Sequence, residues 1–242
     1  MGLGVPAVVI ADATRFEPGW LKIVELKLAK GAVRQRFVHF SDIHFKGDAD
    51  YLRRVIGTIN DLKPDFACFT GDLIEEGEHL DGAVRELRAL KCPLYAIPGN
   101  HDHWSRADLG SLIDVCVTSG GGWLPDRQLD LEKGGLVLSG VDRMSAVPQP
   151  RPDATNILLL HYPGWADRLP HRGWDLILAG HTHGGQVRLP FMGALILPFD
   201  SGGYDMGLFQ TPSGPMYVNA GIGEFYRRVR FGCRPEITLI EV

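Results

Sequence analysis

The chain has 242 residues, 45% of them hydrophobic and 22% charged, with a net charge of −4, values that exclude disordered and fibrous classes. Its length suffices to bury about three quarters of the unfolded surface, and its slight acidity gives no electrostatic basis for gripping nucleic acid. Cys68, Cys92, Cys116 and Cys233 form no C-x-x-C pair and mostly border apolar runs, so they read as buried reduced thiols, which favours a reducing compartment.

The opening "MGLGVPAVVIADATRFEPGW" has no basic start, and Asp12 and Arg15 interrupt its apolar run well short of a membrane span. The expected location is cytoplasmic or membrane-peripheral, with a clipped export signal or upstream anchor left open. No linker or repeat divides the sequence, which reads as one domain over 1–242 with a leading segment and strand over about 1–34.

"RFVHF" begins as a strand and changes character at Ser41. The next segment, "DADYLRRVIGTINDL", spaces Leu52, Val55, Ile56, Ile59 and Leu62 helically, with Asp48 or Asp50 as cap and Lys63-Pro64 as stop. The strand "DFACF" follows, then a second helical stripe through Leu80, Val84, Leu87 and Leu90, then the strand "LYAIPGNHD". Continuous apolar strands alternating with amphipathic helices predict an α/β fold with a buried parallel sheet. In the second half, "NILLLHYP", "WDLILAGHTHG", "MGLFQTPSGPMYVNAG" and "PEITLIEV" are separated by Gly and Pro, which predicts a mixed or antiparallel sheet built from hairpins.

The chemically unusual residues all follow the apolar part of a strand: Asp42 and His44, Asp72, Asn100 to Asp102, His161, and His181 with His183. Carboxyl ends of strands in an open α/β sheet converge on one crevice. Taken singly, Asp42 and Asp72 could cap helices, and His39 or His161 could be core histidines. Together, Asp42, His44, Asp72, Asn100, His161, His181 and His183 offer two carboxylates, one amide oxygen and four imidazoles. That set suits divalent ions such as manganese, iron, zinc or cobalt, and the lack of thiolate argues against a structural zinc site. It oversupplies one ion and matches two, about 3.5–4 Å apart, bridged by a carboxylate and a water. The expected chemistry is hydrolysis of a phosphate ester by a bridging hydroxide.

The ordered blocks "SDIH", "GDLIEE", "GNHDH", "LLHYP" and "GHTHGG", over residues 41 to 185, closely resemble the calcineurin-like metallophosphoesterase superfamily. "GHTHGGQVRLP" and "YVNAGIGE" resemble its bacterial branch of YkuE and YaeI types. The resemblance implies a metallophosphoesterase-type four-layer αββα sandwich of two mixed β-sheets flanked by helices. It implies one ion on Asp42, His44 and His183, a second on Asn100, His161 and His181, and Asp72 bridging both. The ions would be manganese first, with iron, zinc, cobalt, nickel or magnesium as alternatives. His101 would protonate the leaving oxygen, a transfer worth typically ~10²–10⁴-fold, and Asp102 would orient His101.

Protein phosphatases of the superfamily carry an Arg where this chain has Pro98. Losing that anion clamp turns the expectation from a phosphoprotein toward a phosphodiester or pyrophosphate of a small-molecule substrate. A phosphomonoesterase, or a hydrolase of a UDP-linked lipid sugar or phospholipid, is the alternative. A non-catalytic scaffold is disfavoured because every ligand position is filled, and a DNA nuclease by the acidic balance. His103 reads as a solvated or substrate-rim histidine outside the metal shell, with a substrate contact as the alternative, and Arg106 as a helix-face arginine, with a phosphate contact as the alternative. "RLPFMGALILPF", residues 188–199, reads most simply as core packing; the alternative is an exposed apolar lip for acyl chains or peripheral membrane contact.

Overall fold

The computed structural model describes residues 10–28, 35–131 and 135–242, so the first nine residues of the opening and part of the leading segment lie outside the described residues. Two six-stranded mixed sheets carry the architecture. The first takes β1 (Lys22–Lys27), β2 (Arg36–Phe40), β3 (Phe66–Phe69), β4 (Leu94–Ala96) and β5 (Gly122–Trp123), together with the last strand, β14 (Glu236–Glu241). The second takes β6 (Arg127–Leu131), β7 (Leu136–Val141), β8 (Thr155–Leu160), β9 (Leu176–Ala179), β12 (Gly207–Thr211) and β13 (Gly214–Val218). A two-stranded ribbon, β10 (Arg188–Leu189) with β11 (Gly193–Ala194), stands apart from both.

Strand alternation builds the layers. Phe37, Phe66 and Cys68 face the second sheet, where Ile157, Leu159, Leu176 and Leu178 complete a core between the sheets. Their chain neighbours Val38, Phe40, Ala67 and Phe69 face the helices instead, as a side-chain period of two requires. On that outer face lie α1 (Ala49–Asp61), α2 (Leu80–Leu87) and α4 (Gly110–Thr118), with a one-turn helix, α3 (Asn100–Trp104), at the site. The α1 stripe is as expected: Leu52, Val55, Ile56 and Ile59 are buried, and Asp48 caps the helix by accepting from Tyr51 N–H at 3.0 Å. The outer face of the second sheet is covered more thinly, by the 3₁₀ turn Pro163–Asp167 and by Trp174.

Two expectations change. "PEITLIEV" does not join the second sheet: β14 crosses back and inserts between β1, to which it is parallel, and β2, to which it is antiparallel. The second sheet is also more parallel than a hairpin reading implies, with β7, β8, β9 and β13 all running parallel. Short Gly- and Pro-containing crossovers replace the long helices whose absence suggested hairpins. The four cysteines are buried and free, although only Cys68 sits in a strand.

Candidate metal centre

Strands β2, β3 and β4 run parallel, and so do β8 and β9, so their carboxyl ends deliver Asp42, His44, Asp72, Asn100, His161, His181 and His183 to one place. All seven are buried. Backbone bonds lock the loops together: Asp42 N–H donates to Gly71 O, His44 N–H to Asp72 O, and Gly223 N–H to Asp42 O. Both carboxylate oxygens of Asp42 accept from His181 N–H, at 2.9 and 3.0 Å, tying the end of β2 to the end of β9.

The donors fall into two groups. Asp42, His44 and His183 bring one ligand atom each within 4.8 Å of one another, and so do Asp72, His161 and His181. Asp72 reaches both, its Oδ2 lying 3.5 Å from His44 Nε2 and 3.4 Å from His161 Nε2. Asn100 Oδ1 lies 3.1 Å from His161 Nε2.

The residues fit two divalent ions. His183 Nδ1 donates to Gly223 O at 3.3 Å, and His44 Nδ1 lies 3.1 Å from Glu75 Oε1, somewhat off the line of a good hydrogen bond. With the His183 proton committed, its Nε2 offers a lone pair toward His44 Nε2 at 3.0 Å, while the buried His44 Nδ1 has no hydrogen-bond partner; a cation shared by the two Nε2 atoms, with the His44 proton on Nδ1 toward Glu75, would satisfy the pair. In the second group His161 Nδ1 donates to Thr70 O at 2.7 Å, turning Nε2 toward Asp72 and Asn100. His181 Nε2 donates to the Phe199 carbonyl at 2.8 Å, which leaves Nδ1 as its lone pair.

The electrostatics also call for positive charge. Burial would push Asp72 up, but His161 and His44 override it and hold the carboxyl ionised, well below the usual range. Burial opposes protonation of His161, yet Asp72 beside it carries the imidazole to about 9. Asp42 is pushed up by burial, with His161 opposing and Asp72 adding to the rise. His181, lowered to about 4, and His183, well below its ordinary value, are held neutral mainly by burial, the form that binds metal. Backbone strain gathers here too: Asp42, His44, Asp72, His181 and His183 have φ between +42° and +71°, a region non-glycine residues visit rarely and mostly at functional sites.

His101 stands half-exposed at the mouth. Its ring is boxed by His44, Trp104 and Phe225, at centroid distances of 4.8, 4.9 and 5.1 Å, and burial lowers its pKa. The expected bond from His101 to Asp102 is not found among the described residues. The buried Asp102 carboxylate instead accepts from the N–H groups of Asp72 at 2.8 Å, Leu73 at 2.9 Å, and Gly99 at 2.9 Å. It clasps two loops rather than orienting the imidazole. Gly99 also has a different use: its φ of −104° and ψ of −176° are open to any residue, but a Cβ there would overlap Asp72 Oδ1. Gly180 is placed likewise, its Cβ position 2.5 Å from Asp42 Oδ2. Glycine at each spot is a matter of space beside a ligand carboxylate.

Sequence reasoning assigned no role to Glu75, although its acidic place in "GDLIEE" was the signal. It meets His44 and Lys46, which outweigh its burial and hold its pKa near 2. Nor did it find Arg230, fully buried, whose guanidinium donates to the carbonyls of Ala220, Gly221, Gly223 and Cys233 behind His183. Nothing in the sequence marks it out among exposed arginines. His39 is a core histidine, its Nε2 2.9 Å from Thr70 Oγ1. His103 pairs with Asp142 at 2.7 Å, and that bond raises its pKa.

A cleft of about 450 Å³ opens over the centre, lined by His44, Asp72, Asn100 and His101 below and by Trp104, Ile196, Pro198, Phe199 and Phe225 above. A second, of about 350 Å³, meets it at Asn100 and is lined by His103, Asp142, Arg143, Tyr162 and Trp165. Residues 188–199 are not core: Phe191, Met192, Leu195, Ile196 and Phe199 are exposed.

This constellation has known counterparts, and the calcineurin-like phosphoesterase family matches residues 35–185. The chain belongs to that family. It is 33% identical to the uncharacterized metallophosphoesterase YkuE of Bacillus subtilis over 94% of this chain and 87% of that one. It is 28% identical to phosphodiesterase YaeI of Escherichia coli over 99% and 97%. Among solved structures, a dimetal phosphatase from Danio rerio is similar in fold, with TM-score 0.51 and 11% identity over 79% of this chain and 88% of that one. Family and donor set together support two divalent metal ions.

Two outcomes follow from the clasp and the close approach. Asp102→Asn places an amide NH₂ against backbone N–H groups and should cost about 1–3 kcal/mol, a fall in melting temperature of roughly 2–12 °C by calorimetry. An unchanged melting temperature would refute the clasp. Gly99→Ala should keep its far-ultraviolet circular dichroism yet weaken metal binding by about 10–100-fold, read by titration calorimetry.

Proposed function

We propose that the chain is a dinuclear metal-dependent hydrolase of phosphodiester or pyrophosphate bonds in a small-molecule substrate. The observation that carries this reading is the pair of donor groups sharing Asp72 at the floor of a cleft, with His101 at its mouth. Asp42, His44 and His183 would hold one ion, Asn100, His161 and His181 the other, and Asp72 both. When bound, the ions supply Lewis acidity to a phosphoryl oxygen and make water nucleophilic at neutral pH. Manganese is the first candidate and iron, zinc, cobalt, nickel or magnesium the alternatives, a range that oxygen and imidazole donors without thiolate accommodate.

The protein's own residues do the rest. Gly223, Thr70 and Phe199 carbonyls hold one ring N–H each of His183, His161 and His181, so the other nitrogen of each ring faces the centre without reorienting, and His161 would release its second proton to a metal. Phe225 and Trp104 hold the His101 ring at the mouth, where its proton can reach a departing oxygen. A diester is favoured over a monoester on two grounds. Two clefts meet at Asn100, giving room for both arms of a diester. Pro98 stands where a phosphate-clamping arginine would otherwise neutralise the extra charge of a monoester. The name of the YaeI relative, a phosphodiesterase, agrees.

After reconstitution with manganese, turnover of bis(p-nitrophenyl) phosphate should exceed that of p-nitrophenyl phosphate, compared by kcat/KM. Activity on the monoester alone would overturn the diester reading. His101→Asn should retain both metals while losing ~10²–10⁴-fold on a diester with an alkoxide leaving group, and far less on nitrophenolate, which leaves without a proton. Because His101 acts as an acid and burial lowers its pKa, the alkoxide reaction should be favoured below that lowered pKa and decline as pH rises through it. His101→Asn should remove this decline, as a pH–rate profile would show.

A further inference from the structure

The wall of the larger cleft is built for something other than phosphate. Phe225 and Trp104 flank His101, Trp104 meets Phe199 at 6.1 Å, and Phe199 meets Tyr162 at 5.7 Å. An aromatic belt therefore runs across the mouth directly above the metal ligands. It continues outward into the β10–β11 ribbon, where Ile196 is 80%, Met192 74% and Phe191 110% exposed. The turn holds Phe191 at φ +67°, a conformation unfavourable for a bulky side chain, and the ring recovers no burial in return. Such a contiguous apolar surface marks an interaction site.

Its composition distinguishes the partner. On the opposite rim Phe225 leads into Tyr226, 72% exposed, with Arg227 stacked on the Tyr226 ring at 5.1 Å and Arg228 next in the chain. Among the described residues Arg227 has no carboxylate partner, and Arg228 has only Asp48 at 3.7 Å. Aromatic rings beside weakly paired cations on one rim, with an exposed apolar tip on the other, are the composition of a lipid–water interface. The net charge of −4 makes the local cations necessary, since the molecule as a whole would be repelled by an anionic leaflet.

We propose that the chain works at an anionic membrane surface, with the 188–199 segment seated in the lipid so that a phosphoester carrying an acyl or polyprenyl chain enters the cleft between Phe199 and Phe225. This rests on the phosphoesterase reading and adds the substrate class. No helix among the described residues is long and apolar enough to cross a membrane, so contact of this kind is peripheral. The Phe199 carbonyl that accepts from His181 places the base of the seated segment at the metal centre itself.

The test is cosedimentation of the manganese-loaded chain with phosphatidylcholine vesicles, with and without phosphatidylglycerol. The wild-type chain should bind the mixed vesicles, and the triple variant Phe191→Ser, Met192→Ser, Leu195→Ser, which spares every residue lining the cleft, should bind at least about tenfold more weakly. The variant should turn over soluble bis(p-nitrophenyl) phosphate unchanged while losing at least as much on a phosphodiester lipid held in the vesicles. Met192→Trp should gain fluorescence quenching from brominated lipid. Normal soluble turnover without vesicle binding, or binding without quenching at position 192, overturns the interfacial proposal. A concentration-dependent dimer that the triple variant abolishes, with no vesicle binding, overturns it in favour of a second copy. Vesicle binding without any phosphoester turnover leaves the surface standing and overturns the catalytic reading and the substrate class built on it.

Discussion

One buried carboxylate organises the centre. Asp72 sits in the left-handed region at φ +59°, with Gly99 pressed against its Oδ1 and its own N–H held by Asp102. Its Oδ1 accepts from His101 N–H at 2.8 Å, and its Oδ2 faces both His44 and His161. His44 and His161 are placed directly against it, and Asp42 and His183 stand one contact further out, on His181 and His44. A charge in such a position is costly to bury unless opposite charge surrounds it, and here His161 supplies that charge before any ion does. The same field that keeps Asp72 ionised raises His161, so metal entry exchanges a proton for an ion at a place already electrostatically prepared.

The preparation has a structural cost, and the fold shows where it is absorbed. Five of the seven donors occupy a backbone region costing of order 1–3 kcal/mol each for ordinary residues. They persist because the loops that carry them are bonded to one another and stand on strands with fully buried side chains on both faces. Asp102 clasps the 71–74 and 99–102 turns, and Arg230 gathers the carbonyls behind His183. Both are charged groups used as braces, each spending its hydrogen bonds on backbone.

The gathering of these carboxylates, imidazoles and one amide was legible in the sequence because its members are chemically conspicuous and each follows an apolar run whose period and length announce a strand. The helix face of α1 was legible for the same reason. What escaped depends on distance along the chain. The insertion of β14 between β1 and β2 is decided by long-range pairing, which no local pattern encodes. Asp102 looked like a partner for its neighbour His101, whereas its hydrogen bonds reach back thirty positions to Asp72. Gly99 looked like a turn residue, yet it is required by the proximity of a carboxylate from another strand. The 188–199 segment was ambiguous in principle, since apolar residues pack inside or project outside by the same chemistry until the surrounding shape is known.

The division of donors between the sheets ties the site to the fold. Asp42, His44, Asp72 and Asn100 come from the first sheet, and His161, His181 and His183 from the second. Each proposed ion draws on both: Asp42 and His44 meet His183, and Asp72 and Asn100 meet His161 and His181. The two sheets are joined through their middle mainly by apolar contact, a force without direction, and bound metal would add coordination, which has direction, at the carboxyl end. A ligand that binds only the assembled pair stabilises that assembly by mass action. Metal binding and the relative position of the two sheets would therefore be one equilibrium, and a substitution that loosens the packing between sheets should weaken the metal site without touching a ligand.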